Sequence, residues 1–170
     1  MRALFVYYEW GFLFRILYRM MKLKIPPVVV FFLAFAIMFG GYYLTPELSY
    51  SFRYQTILSR IFLASGVFVA FSGIIAFRLS GTTVDPRFPK KATNLVQSGI
   101  YKFTRNPMYL GMALVLIGGV IRIGNPVSFA GIIFFIWFLN SFQIKPEEEA
   151  LLELFGDEYK EYCGKVRRWA

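Results

Sequence analysis

The sequence contains no histidine, a single cysteine and only 10 acidic residues against 19 basic ones. Each shortage excludes something. Without imidazole, the usual general base near neutral pH and the commonest metal ligand are both gone, so no metal site is expected. The lone thiol, Cys163, rules out an internal disulfide. Chemistry is left to carboxylates, arginine, lysine, tyrosine, amides or a bound cofactor. The net charge of +9 would suit a nucleic-acid partner, but the basic residues border apolar runs and form no patch of their own. They read as juxtamembrane charge, and no nucleic acid is expected.

What is abundant is apolar surface. Hydrophobic residues make up 57% and aromatic residues 20% of the 170 positions, and the mean hydropathy is +0.52. A soluble core of one small domain does not hide that much, so lipid must receive it. Four runs read as spans. They are Val28–Leu44, entered through Pro26-Pro27; Ile61–Phe77, bracketed by Arg60 and Arg78; Met108–Ile121; and Val127–Ile144. The third is short but reaches Ile123 if Arg122 snorkels; the fourth is opened by Pro126 and closed by Lys145-Pro146. Backbone groups cannot go unpaired in lipid, so these runs must be helices. The expectation is an all-α integral membrane protein, a single domain over 1–170 with about four spans. The turn Arg122-Ile-Gly-Asn-Pro126 joins the last two as a tight hairpin. Gly66 and Ala70 offer a small-residue packing face, but the signal is weak and ordinary span composition is the better explanation. No repeat and no low-complexity linker occurs.

Charge gives the orientation. Arg2, Arg15, Arg19, Lys22 and Lys24 precede the first span, and Arg87, Lys90, Lys91, Lys102 and Arg105 lie between the second and third. The other connections carry only Arg53, the bordering Arg60 and Arg122. Positive residues favour the cytoplasm, so both termini and Ser80–Pro107 are expected on the inner side of the cytoplasmic membrane. Within the N-terminal segment 1–27, Leu4–Phe14 is apolar but interrupted by Glu9, with Arg15, Arg19 and Lys22 on one stripe. That pattern fits an amphipathic helix lying in the interface; a fifth, tilted span is the alternative. The N-terminus lacks a small-residue cleavage site, so no cleaved signal peptide is expected.

Two polar stretches remain, and the topology puts both on one side. One is Gly81–Arg105 with the run Gly99-Ile-Tyr-Lys-Phe-Thr-Arg-Asn-Pro-Met-Tyr-Leu-Gly111. The other is the tail, which opens with Lys145-Pro-Glu-Glu-Glu149 and ends with Val166-Arg-Arg-Trp169. They flank the hairpin and so emerge together. Structural explanations exist for each. Asn106 and Pro107 suit a helix start, Lys145 and Arg105 suit helix-end anchors, and Glu147–Glu149 suit a helical first turn. Leu151, Phe155, Tyr159 and Tyr162 form a stripe that would pack the tail onto the membrane face. Spacing alone does not identify an enzyme.

The run Leu95-Val-Gln-Ser-Gly-Ile-Tyr101 followed by Arg105-Asn-Pro-Met-Tyr-Leu-Gly111 resembles the signature of the isoprenylcysteine carboxyl methyltransferase and phospholipid methyltransferase superfamily. So does the tail, with Glu147-Glu148, Leu151, Phe155-Gly156, Tyr159, Tyr162, Val166 and Arg168. The resemblance covers about Gly81 to the C-terminus, within a cofactor-binding half at 80–170. It implies a small membrane enzyme that takes S-adenosylmethionine from the cytosol and a lipid or lipid-like methyl acceptor from the bilayer. Carried over by position, the cofactor pocket would use Asn94, Leu95, Val96, Tyr101, Asn106, Pro107, Met108, Tyr109 and Glu147, with Glu148 beside it. A carboxylate there would meet the ammonium of the cofactor's methionine end. Two positions depart from the pattern. Asn106 stands where many members have His, and an amide hydrogen-bonds but accepts no proton. Gln143 stands where the prenylcysteine enzymes carry an Arg suited to a substrate carboxylate, which puts that acceptor in question and marks Gln143 as a substrate-side residue.

Methyl transfer from a sulfonium is an in-line displacement whose leaving group the cofactor already supplies. The protein must align acceptor, methyl and sulfur and keep water out. Glu147 and Tyr109 are expected to be essential for cofactor binding, with Arg105 and Arg168 positioning loop and tail or anchoring them to headgroups. The lack of histidine favours an acceptor needing little proton chemistry, with no dedicated base. A more distant resemblance to membrane sterol reductases implies NADPH instead, but a 2′-phosphate wants a basic cluster where this tail is acidic. A non-enzymatic membrane scaffold is the third reading, and intact Tyr101, Tyr109 and Glu147 stand against it. The sequence does not give the oligomeric state.

Overall fold

The computed structural model describes residues 21–81 and 94–170. The N-terminal helix, and with it the choice between four and five spans, lies outside these residues, as do Arg87, Lys90 and Lys91. Among the described residues every regular element is helical, the longer ones being α1 Pro27–Leu44, α2 Gln55–Leu79, α3 Pro107–Ile123, α4 Phe129–Phe138, a π-helical turn Leu139–Ile144, and α5 Lys145–Lys165. By length and composition α1, α2 and the run beginning at Pro126 are apolar enough to cross a membrane, and α3 is the shorter apolar helix of 17 residues. At 1.5 Å per residue α3 is about 25 Å long, close to a bilayer's hydrocarbon thickness. Phe68, Phe71 and Ile133 are each more than half exposed, and only 11% of the apolar window of α2 is buried inside the protein. In water such a surface would be untenable. This is an all-α integral membrane protein.

The hairpin partners α3 and α4 each pack chiefly on another helix: α3 against α2, and α4 against α1. The α2–α3 contact is made by backbone. A Cβ on Gly66 would stand 2.6 Å from Gly111 O, and one on Gly111 would stand 2.7 Å from the Ala70 Cβ. The small-residue face therefore has a packing role, contrary to its explanation as plain span composition. Ser59, one heptad before Gly66, donates from its hydroxyl to Gly118 O at 2.9 Å. On the other side, Gly131 lies against Ala34 O and Met38. Val30, Met38, Leu116, Phe135 and Leu139 fill the space between the pairs with no exposure at all.

The end of the bundle away from the tail is cross-tied by polar groups. Asn125, buried, donates to Thr45 O at 2.7 Å and to the Ser49 hydroxyl at 3.0 Å, and its own carbonyl receives the Val127 N–H. Gln55 donates to Ile121 O and Arg122 O at 2.8 and 3.1 Å. That pairing extends α2 six residues ahead of the apolar run read from the sequence, because the polar first turn spends its side chain on the end of α3.

The helix of the fourth span does not end at Lys145-Pro146, where the apolar run does. The chain stays helical through Pro146 into α5. Proline brings no N–H to the ladder, and the carbonyl four residues back, Phe142 O, instead accepts the Leu23 N–H at 3.1 Å. The π turn over Leu139–Ile144 widens the helix just ahead of the proline. Glu147–Glu149 thus follow a continuous helix and do not sit at a free N-terminus, so the dipole argument for them fails. The tail bends only at Gly156, whose φ of 52° and ψ of −121° belong to glycine. Beyond the bend, Tyr159, Tyr162 and Val166 form a small separate core with Leu95, Leu151, Phe155 and Cys163.

Candidate functional site

Glu147 follows the fourth span by one turn and faces α3. Its Oε1 accepts two hydrogen bonds, from the Tyr109 hydroxyl at 2.7 Å and from the Gln143 amide at 2.6 Å. Its Oε2 has no hydrogen-bond partner among the described residues, and the residue keeps partial solvent access. Desolvation pushes the carboxyl up to about 8; the bonds from Tyr109 and Gln143 pull the other way, and Glu148 adds repulsion. Gln143 and Tyr109 are buried at 1% and 5% exposure, so the carboxylate is held by two immobile donors. Tyr101 is close enough that Glu147 contributes, after burial and Tyr162, to raising its hydroxyl above the ordinary tyrosine value.

Glu148 points elsewhere. Arg105 reaches its Oε1 at 2.9 Å, and Arg168 grips it with two nitrogens, Nε at 3.0 Å and Nη2 at 2.5 Å. The C-terminal backbone joins in: Arg105 N–H donates to Arg167 O at 3.0 Å, and the Asn106 amide donates to Arg168 O at 2.9 Å. Asn106 therefore makes no side-chain cap for α3, contrary to the N-cap explanation; its amide holds the tail. Trp169 Nε1 donates to Asn140 Oδ1 at 3.2 Å, and Tyr162 donates to Tyr101 O at 2.7 Å. Loop, span end and tail are one hydrogen-bonded unit.

The expected site residues thus fall into groups. Tyr109, Gln143 and Glu147 form one cluster. Asn106 and Glu148 belong to the adjoining arginine network. Tyr101 is tied to the tail through Tyr162, and its ring meets Phe77 edge-on at 5.2 Å. Leu95 enters the tail core, Val96 is buried, and Asn94 donates to Ser80 O at 3.1 Å. The side chains of Pro107 and Met108 lie against Gly73 of α2. Sequence reasoning missed Thr104, buried with its hydroxyl 3.3 Å from Arg168 O, and Asn140. Asn140 did carry a signal: an amide inside an apolar span calls for a partner.

Fold and site together define a small helical membrane protein with a confined carboxylate, and the loop and tail tied around it, at one end of its helical bundle. The chain belongs to the phospholipid methyltransferase family: the sequence profile described as Phospholipid methyltransferase matches residues 54–158. It is similar to an uncharacterized protein of Haemophilus influenzae, 47% identical over 62 residues that are 36% of this chain and 98% of that one. It is also similar to the protein-S-isoprenylcysteine O-methyltransferase of Saccharomyces cerevisiae, 42% identical over 72 residues, 42% of this chain and 30% of the yeast protein. The enzyme of the same description from Schizosaccharomyces pombe is 31% identical over 105 residues, 62% of this chain and 44% of its own. The chain spans less than half the length of these two fungal relatives. No solved structure matches it.

Proposed function

We propose that the chain transfers the methyl group of S-adenosylmethionine to a lipid-borne acceptor at the cytoplasmic face of the membrane. The observation that carries the reading is Glu147: a carboxylate at the end of a span, with one oxygen fixed by Tyr109 and Gln143 and the other without a hydrogen-bond partner among the described residues. An ammonium is the natural counter-charge for such a group. Bound there, the cofactor supplies an activated methyl and its own leaving group. The chain's contribution is placement. Glu147 holds the methionine end, Tyr109 and Gln143 hold Glu147, and the Arg105–Glu148–Arg168 network keeps the Asn106 loop in register with the tail. The spans exclude water from the side on which a lipid arrives. Gln143, spending its amide on Glu147, brings no charge to an acceptor carboxylate, which supports an acceptor other than a prenylcysteine.

Isothermal calorimetry on the purified chain should show saturable S-adenosylmethionine binding and none for NADPH, with Glu147→Ala abolishing it. Absence of binding, or an unaffected Glu147→Ala, would sink the proposal. Incubation of labelled cofactor with native lipid extract then identifies the acceptor from the labelled product.

A further inference from the structure

Bending α5 at Gly156 leaves a groove of about 510 Å³ that Glu147 does not line. Lys145, Glu148, Glu149 and Leu152 of the first arm face Tyr159, Lys160 and Cys163 of the second, with Arg168 beside them. The volume lies within the roughly 300–1,000 Å³ of small-ligand sites. Its charges do not cancel. Glu148 is shared by two guanidiniums, Glu149 is taken by Lys22 at 3.0 Å, and Asp157 is taken by Lys160 at 2.8 Å. That leaves one guanidinium in excess, and Lys145, exposed, has no carboxylate partner among the described residues. Lys145 is also the first residue after the fourth span, so the mouth of the groove stands at headgroup depth. Leu152, 41% exposed, provides an apolar contact.

We propose that this groove binds the phosphate headgroup of an anionic phospholipid from the leaflet where the tail emerges, bridging the two arms of α5. Lys145 meets the phosphate from the first arm, Lys160 turns to it from the second by giving up its solvent-exposed contact with Asp157, Arg168 backs it, and Leu152 lies along the start of a chain. The lipid is a bound constituent and not the methyl acceptor, so the proposal stands independently of the transferase reading.

The test uses the full chain in nanodiscs of phosphatidylcholine containing about one-fifth phosphatidylglycerol, with retained lipid read by native mass spectrometry. Phosphatidylglycerol should be enriched over phosphatidylcholine. At roughly fivefold per lysine, the double variant Lys145→Gln, Lys160→Gln should cut that enrichment by more than tenfold. Arg53→Gln, at the other boundary, and the charge-preserving Lys145→Arg, Lys160→Arg pair should keep it. Equal retention of the two lipids, or undiminished retention by a folded double Gln variant, overturns the proposal. Displacement of the lipid by inorganic phosphate at matched concentration overturns it too, since the site would then serve a soluble anion.

Discussion

At the scale of single residues, the main consequence is a titration. Burial raises the Glu147 carboxyl to about 8, so the folded protein holds this proton more tightly than the unfolded chain does. The associated stability is present at low pH and is lost as pH rises through the folded value. The melting temperature of the unliganded protein should therefore decline between about pH 5 and pH 8, and Glu147→Gln should flatten that decline. Binding of an ammonium requires the ionised form, so S-adenosylmethionine should release about one proton on binding near pH 7, visible by calorimetry in buffers of different ionisation heat. Glu147→Gln should bind with no such release, if it binds at all. Tyr109→Phe removes a hydrogen bond to a charged group and should weaken cofactor binding by roughly 10- to 100-fold, read by titration, with the fold intact. Glu147 and Tyr109 were legible as candidates because the motif resemblance covers them. That Gln143 is a positioning neighbour of Glu147 was not, since the π turn that orients it is invisible in an apolar run.

Among the elements, the α2–α3 seam tolerates no side chain at its centre. Gly111→Val should destabilise the bundle by about 1–3 kcal/mol, read as a lowered midpoint of thermal unfolding in detergent. Gly40→Ala, with nothing within 4 Å of its Cβ position, should leave the midpoint unchanged or raise it. At the bend, Gly156→Ala forces a side chain into a backbone conformation that costs about 1–3 kcal/mol, and should loosen the Tyr159–Tyr162–Val166 core before it affects the spans; hydrogen exchange would show it. The spans themselves were legible because lipid demands unbroken apolar runs. Their ends were less so. Gln55 looked like loop because its polar side chain serves the end of another helix, and Pro146 looked like a stop although the carbonyl it frees, that of Phe142, is satisfied by Leu23, 119 positions away in sequence.

For the whole molecule, the charge asymmetry predicts a sidedness that cysteine labelling can read. In a Cys163→Ser background, Lys165→Cys should react with an impermeant maleimide only from the cytoplasmic side and Ser51→Cys only from the opposite side. The reverse result would invert the topology. Lysine and arginine counts give that sidedness as an expectation for the labelling to test; the ties between loop and tail were not legible at all, since they depend on backbone carbonyls of Arg167 and Arg168 that no composition reveals. The cross-tied end around Asn125 adds something else. With Thr45, Ser49 and the end of α3 bonded together there, the proposed methyl transfer at Glu147 would draw its acceptor from the monolayer on Glu147's own side. On that proposal, an acceptor inserted in the opposite monolayer should be modified no faster than it flips across the bilayer.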